Sequence, residues 1–145
     1  RRVGGGGSEE VLVQQLQDLT RQTMHSMEAR GIVNIVHAMG KMAESRRIVV
    51  DYELAGELLG RAKATVGDFE PQGVANLVWA MAKMGITNPE AGLLEAMQER
   101  AKKTAGDFTP RDVSMLMSAL SKMFIKNPDA GLVEAMQGRA RETAG

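Results

Sequence analysis

Three segments of the chain share a set of four positions, spaced four, three and four residues apart, whose side chains could bind a nucleic acid. In the middle segment an amide, a ring and a cation occur together at Asn76, Trp79 and Lys83. An amide can hydrogen-bond to a base edge, an aromatic or imidazole ring can stack on a base, and lysines can follow the phosphates. These positions are therefore the candidate site for RNA or another partner. They are Arg30, Asn34, His37 and Lys41; Gln72, Asn76, Trp79 and Lys83; and Arg111, Met115, Ser118 and Lys122.

If the three segments are helices, the candidate positions lie on one face of each. Placing Val74, Leu77 and Met81 toward the core at 100° per residue directs the candidate positions to the opposite side. Neighbouring helices would then align five cations with no acid among them, which are Arg30, Lys41, Lys83, Arg111 and Lys122. Ordinary explanations stay open beside this one. Surface lysines are usually only solvated, Trp79 could pack between neighbouring repeats, and the two asparagines could hold loop backbone.

Composition argues against catalysis and against a membrane span. Lys+Arg and Asp+Glu are both 18, so the net charge is zero and any electrostatic footprint must come from local segregation. Cysteine is absent, the histidines are His25 and His37, and the Gly4–Gly7 run lacks the Lys-Ser/Thr of a phosphate-binding loop. No apolar run approaches the roughly 18 residues of a membrane span. We therefore expect no enzyme, no small-molecule substrate, no cofactor, no metal site and no transmembrane segment.

The chain contains an internal repeat. The sequence Gly67–Lys83 recurs as Gly106–Lys122, an offset of 39 residues that also relates Phe69 to Phe108. Farther upstream the offset is 42 residues, which places three extra residues around Ala43–Val50. We expect this insertion to lengthen a surface turn. A fixed period of this size is typical of stacked helical units.

These signals predict an all-α fold, specifically an α-solenoid of stacked helical hairpins with seven helices and about three and a half repeats. Residues 1–8 are Gly-rich and are expected to be a flexible linker or tag, and 9–145 a single α-helical repeat domain. Within that domain 9–26 is a half repeat, and 27–67, 68–106 and 107–145 are full repeats. Asn-Pro-acid sequences at Asn88 and Asn127 are expected to begin the second helices of the last two repeats.

Two packing expectations follow from the helical pattern. The first helix carries an apolar stripe that we expect to pack against the helix Met27–Met42, and it consists of Val11, Leu12, Leu16 and Leu19. The second helices of the repeats share an arginine that we expect to pair with neighbouring acids, and it occurs as Arg61, Arg100 and Arg139.

The pattern Phe69-x-Pro71-Gln72-x-Val74-Ala75-Asn76-Leu77-Val78-Trp79-Ala80-x-Ala82-Lys83-Met84, at this period, resembles the octotricopeptide-type repeats. These are paired-helix solenoids of plastid-bearing algae and protists, and the resemblance covers nearly all of residues 9–145. It implies binding of single-stranded RNA along the first-helix surface, with a role in RNA stabilisation, processing or translation in a chloroplast or mitochondrion. The other units depart from the pattern, because His37 replaces the tryptophan in one, and Met115 and Ser118 replace its Asn and Trp in the other.

Two functions from different classes therefore stand side by side. The first is an organellar module that binds single-stranded RNA. The second is a protein-docking repeat that serves as a structural or assembly subunit of a large organellar complex, with other protein subunits as its partners. The segregated cations and the resemblance favour RNA, whereas the neutral net charge and the small number of repeats favour docking.

Overall fold

The computed structural model describes residues 5–46, 49–87, 89, 91–123 and 130–144, and this part of the chain is helical without a strand. Its seven α-helices are α1 (Gly5–Thr23), α2 (Ala29–Ser45), α3 (Tyr52–Thr65), α4 (Pro71–Met84), α5 (Leu93–Lys103), α6 (Pro110–Lys122) and α7 (Ala130–Ala144). Single-turn 3-10 helices precede three of them, at Met24–Ser26, Val66–Asp68 and Ala105–Asp107. For the described residues, the predicted all-α class and the seven helices are confirmed.

Local sequence signals account for the ends of α4 and α6. Both helices begin with a proline in the first turn, where its missing N–H leaves no intrahelical hydrogen bond unmade. Thr109 and Asp112 form a reciprocal capping box at the start of α6. Gly85 ends α4 with a φ of 71°, a left-handed conformation that glycine adopts without strain. Each of these ends therefore follows from residues adjacent in the sequence.

The helices pack in two layers. In the first layer α4 lies between α2 and α6, and in the second α5 lies between α3 and α7. The layers are joined by contacts within the pairs α2–α3, α4–α5 and α6–α7. The predicted core side chains Val74, Leu77 and Met81 are fully buried. Because α4 has a first-layer neighbour on each side, it is the most enclosed of the helices that carry the candidate site.

A recurring arginine joins each second-layer helix to the turn before its first-layer partner. Arg100 donates from Nε to the carbonyl oxygen of Phe69 at 2.7 Å, and Arg139 does the same to Phe108 at 2.8 Å. Both acceptors belong to buried phenylalanines that come just before α4 and α6. A buried carbonyl needs a donor, and a hydrogen bond from a charged donor is stronger than one from a neutral donor.

The expectation that these arginines pair with outer acids is correct at one position and misses their shared role. Arg139 also meets Glu142 at 3.1 Å, because a guanidinium has several N–H groups and can satisfy two acceptors. Arg61 reaches the carbonyl of Met27 through Nη2 at 3.4 Å, while its Nε is buried without a hydrogen-bond partner. The hydrogen bond to the turn is therefore weakest in the first repeat.

The three extra residues of the first repeat lengthen α2, so the prediction of a longer surface turn is wrong. By the offset of 42, Met42 corresponds to Met84, the last residue of α4, yet α2 continues through Ala43–Ser45. The reason is the next position, where α4 has Gly85 and α2 has alanine. Glycine favours a helix end and alanine favours continuation. The added turn carries Glu44 to the edge of the candidate site.

The expected packing of the α1 stripe against α2 is also wrong. The four residues of the α1 stripe are more than half exposed, with exposed fractions of 58% for Val11, 56% for Leu12, 51% for Leu16 and 54% for Leu19. α1 is held instead near its C-terminal end, where Arg21 lies 2.8 Å from Asp51 and 3.7 Å from Glu57. α2 packs mainly against α3 and α4, and α1 makes no comparable contact with it.

The predicted linker is partly helical, because Gly5–Ser8 belong to the first turns of α1. Residues 1–4 lie outside the described residues. A glycine run has no side-chain pattern by which a helix could be predicted, although its backbone can still form the hydrogen bonds of a helix.

The second helix of the middle repeat begins later than predicted. α5 starts at Leu93 instead of Pro89, because Gly92 has a φ of 84° and a left-handed residue cannot belong to a right-handed helix. Asn88, its expected N-cap, lies outside the described residues. The same is true of the segment 124–129, which contains the cap expected at Asn127.

Candidate nucleic-acid interface

All twelve predicted site residues lie on the first-layer helices α2, α4 and α6. The exposed members are Arg30, Asn34, Lys41, Gln72, Arg111, Ser118 and Lys122. The half-buried members are His37, Asn76, Trp79, Lys83 and Met115. Three of these five belong to α4, because α4 has a neighbour on each side.

A groove of about 340 Å³ runs between the N-terminal halves of α2 and α4. Four predicted residues line it: Arg30, Asn34, Gln72 and Asn76. Val33, Phe69 and Gly73 provide apolar surface, and two acids, Asp68 and Glu70, line the same groove. Three amides in one groove can donate to and accept from base edges, and a carboxylate can accept from a base amino group while repelling phosphate. The sequence pattern missed both acids because they precede α4 and have no helical spacing.

His37 and Trp79 meet at the centre of the surface. Their ring centroids are 5.1 Å apart and the ring planes are inclined by 67°, an edge-to-face contact. Trp79 also lies close to α2, because a Cβ added at Gly40 would be 3.2 Å from its ring. Trp79 of α4 therefore packs against the neighbouring helix α2, as its ordinary explanation expected. The residue is half-buried, so part of the ring stays at the surface.

The surroundings of His37 favour the neutral form of its imidazole. Burial lowers its pKa below the ordinary value, and the positive charges of Lys41 and Arg111 lower it further. Arg111 lies on α6, so charges of both α2 and α6 act on this part of the surface. A neutral imidazole offers one donor and one acceptor nitrogen and adds no repulsion to the surrounding cations.

Lys41, Lys83 and Lys122 surround Glu44 near the C-terminal ends of α2, α4 and α6. The Nζ of Lys83 lies 2.8 Å from the carboxylate of Glu44 and 5.6 Å from the centroid of the Trp79 ring. The hydrogen bond from Lys83 lowers the pKa of Glu44, and the charges of Lys41 and Lys122 act in the same direction. The expectation of five cations without an acid is therefore wrong. Its cause is the extra turn of α2, which the other first-layer helices lack.

α6, the third of the first-layer helices, contributes a cation at each end. Between them it has few side chains that could hydrogen-bond to a base or stack on one. Arg111 and Lys122 are exposed, whereas Met115 is half-buried against the core. Met115 stands where the other units have asparagine, and Ser118 stands where they have a ring. Amides and rings are thus concentrated on α2 and α4, and α6 extends the positive charge.

The described residues contain no group of three or more His, Cys, Asp or Glu side chains placed to hold a metal ion. Among the helices described, none combines the length and the apolar character needed to cross a membrane. Comparison of the chain with protein-family models, with curated proteins and with solved structures gives no match. The interpretation of the surface therefore depends on the geometry of its own side chains.

Proposed function

We propose that this chain is a helical-repeat module that binds single-stranded RNA across α2, α4 and α6. The observation that carries the proposal is the order of groups along one surface. Amides line a groove at one end, His37 and Trp79 meet at the centre, and Lys41, Lys83 and Lys122 lie at the other end. Proteins bind single strands with this combination, because bases stack on rings and hydrogen-bond to amides while cations hold the phosphates.

The bases and the phosphates of a bound RNA strand would contact opposite ends of this surface. Asn34 and Asn76 would contact base edges in the groove, where Asp68 and Glu70 keep phosphates away. Phosphates would lie at the opposite end, near the exposed Lys41 and Lys122. Lys83 is neutralised in part by Glu44, so it contributes less to the attraction than the other two lysines.

The proposal includes the architecture and the location. An α-solenoid of stacked hairpins is supported by the recurring arginine hydrogen bond and by the two-layer order of the helices. The resemblance to octotricopeptide-type repeats supports a place in a chloroplast or mitochondrion, with a role in RNA stabilisation, processing or translation. The span of three helical pairs fits a short recognition segment, about one base per pair in other one-base-per-repeat solenoids.

The test is the salt dependence of RNA binding. Fluorescence anisotropy of a labelled single-stranded RNA of mixed sequence, titrated with the protein at several KCl concentrations, gives the slope of log Kd against log salt. Each phosphate contact to a single strand contributes about 0.7 to this slope. Replacing Lys41, Lys83 and Lys122 together with Gln should lower the slope by about 2 and weaken binding about tenfold or more. Circular dichroism should show unchanged helix content, since these side chains are exposed or half-buried.

A matched control removes the same charge from the second layer. Lys63, Lys103 and Arg141 are exposed on α3, α5 and α7, and their joint replacement with Gln should leave the slope and the affinity nearly unchanged. Equal losses in the two triple variants would mean that net charge, and not this surface, controls binding. An unmodified chain without salt-dependent affinity for the RNA would show that the proposal is wrong, and an acidic protein partner would become the candidate ligand of the lysine face.

A further inference from the structure

The contact between α2 and α4 shows which positions of a first-layer helix face the helix before it. A Cβ added at Gly40 would lie 2.9 Å from the Cα of Ala80, so the two helices approach each other closely there. Leu77 and Met84, three residues before and four residues after Ala80, share that face of α4. Leu77, Ala80 and Met84 are at most 4% exposed.

The same three positions are apolar in every first-layer helix, but they are covered in only two of the three. At α6, where they face α4, they are the buried residues Leu116 and Ala119 of the helix and its C-cap, Met123. In α2 they are Ile35 and Met42, which are half-buried, and Ala38, which is exposed. The outer face of α2 therefore has the chemistry of an interface, and no helix of the described chain covers it.

The apolar stripe of α1 shows the same difference in exposure between equivalent positions. Leu16 corresponds to Leu58 of α3, to Met97 of α5 and to Met136 of α7, which are 0–1% exposed in their helical pairs, whereas Leu16 is 51% exposed. Each of the three covered residues belongs to a helix that contacts a first-layer helix of its own pair. α1 has no such partner among the described helices. If α1 stands to α2 as α3 stands to α4, its stripe and the outer face of α2 are two walls of one apolar groove.

The opposite end of the first layer is different. Gly40 of α2 corresponds to Ala82 of α4 and to Ser121 of α6, on the face that each helix turns toward the next. On α6 this outer face carries the exposed Ser114 and Ser121, with the half-buried Met117 between them. A polar outer face is typical of a terminal unit that has no further neighbour. Of the two outer faces of the first layer, only the one on α2 is therefore apolar at all three positions.

We propose that the groove between α1 and α2 binds an amphipathic helix of a partner polypeptide, in the position that a first-layer helix occupies in the other pairs. The packing defines the chemistry of this helix. It needs a small residue opposite Ala38, as Gly40 stands opposite Ala80, and aliphatic residues against Leu16 and Ile35. A charged residue in this contact would be buried without a partner. The partner helix thus has the pattern of α2 itself.

A peptide of residues 28–45 is a direct probe of the groove, because α2 already packs in this way on α4. A staple between its outward positions 30 and 34 keeps the isolated peptide helical, which a free peptide of this length would not be. Titration of the fluorescein-labelled peptide with the full chain should give saturable binding. The same peptide with Gly40→Leu should bind about tenfold or more weakly, because the added side chain prevents the close approach.

Variants of the chain separate the groove from other surfaces. The double substitution Leu16→Glu and Ala38→Glu should weaken peptide binding about tenfold or more, since a carboxylate must be desolvated in the groove. The matched control Ser114→Glu and Ser121→Glu adds the same charge at the polar end and should leave peptide binding unchanged. All four positions are exposed, so melting curves should show that both variants are folded.

Three results would overturn the proposal. They are no binding of the unmodified peptide, equal losses in the two double variants, and a concentration-dependent dimer that excludes the peptide, which would make a second copy the occupant. RNA affinity measured in parallel reports separately on the lysine face, because each double variant places a carboxylate within one turn of a site lysine, Lys41 or Lys122. A loss of RNA binding alone would therefore leave the groove proposal standing.

Discussion

At the residue scale, Gly40 sets the distance between α2 and α4. The atoms that an added Cβ would meet are the Cα and Cβ of Ala80, each at 2.9 Å, and a backbone atom cannot move aside as a flexible side chain can. The same approach brings the Trp79 ring over α2 and so assembles the centre of the candidate site. One glycine thus has consequences both for packing and for the binding surface.

We expect Gly40→Ala to destabilise the fold, although alanine is the better helix former by about 1 kcal/mol. The separation of α2 from α4 should cost about 1–3 kcal/mol, which exceeds that gain. Gly56→Ala is the matched control, because a Cβ at Gly56 of α3 would meet nothing within 4 Å. It should raise the free energy of unfolding by up to about 1 kcal/mol. Urea denaturation measures the change in the free energy of unfolding of each variant, which should be negative for Gly40→Ala and positive for Gly56→Ala. A stabilising Gly40→Ala would contradict the close contact.

His37 should make stability depend on pH in the mildly acidic range. Its folded-state pKa lies below the ordinary value of 6.5, so the unfolded chain binds this proton more readily. Stability is therefore complete above about pH 6.5 and falls as the pH drops toward the folded-state pKa. Glu44 and Asp51 act in a lower window, because their pKa values lie below 4.5 and 3.8.

The check compares urea midpoints of the unmodified chain and of His37→Gln at about pH 7.5 and pH 5.5, on either side of the ordinary histidine pKa. The unmodified chain should lose more stability between the two values than the variant does. Equal losses would mean that His37 is as accessible to protons in the folded state as in the unfolded state. His25 is present in both proteins and cancels in the comparison.

At the scale of elements, the same side chain has different effects at equivalent positions of α1 and α3. Leu16 and Leu58 are related by the offset of 42, and their exposed fractions are 51% and 0%. Leu58→Ala should lower the free energy of unfolding by about 2–5 kcal/mol, whereas Leu16→Ala should change it by about 0.5 kcal/mol or less. Thermal or urea denaturation of the two variants measures the difference. Similar losses in both would show that α1 is packed in solution as tightly as α3.

Sequence patterns predicted the elements that depend on local chemistry. Thr109, Asp112 and Gly85 determine helix ends through their own hydrogen bonds or backbone conformation, so no distant contact was needed to identify them. The burial of Leu77 likewise followed from helical spacing. For these features the sequence and the structure agree.

Features that depend on distant parts of the chain were not predictable in the same way. The stripe that contains Leu16 has the spacing of a core face, and spacing cannot tell whether another helix is there to cover it. The pairing of Glu44 with Lys83 required the length of α2, which depends on a single change from glycine to alanine after Met42. The two groove acids, Asp68 and Glu70, came from a segment without a periodic pattern.

At the scale of the whole molecule, a chain of zero net charge still presents a cationic surface. Of the five predicted cations, Arg30, Lys41, Arg111 and Lys122 are exposed on the first layer. Attraction at short range then depends on this segregation and is screened by salt within about 10 Å at moderate ionic strength. The long-range field of the molecule is weak, so binding should begin with contact to this surface and not with steering from a distance.

Contacts between neighbouring pairs also imply that stability is graded along the molecule. α4 is packed between α2 and α6 and has seven buried residues, whereas α1 has its apolar stripe in solvent and is held mainly near Arg21. Local opening requires little free energy where few apolar contacts are lost. Native-state hydrogen exchange should therefore be slowest in α4, intermediate in α2 and α6, and fastest in α1. In the presence of the stapled 28–45 peptide, α1 and α2 should gain protection while α6 does not, and uniform protection of all seven helices would contradict the graded packing described above.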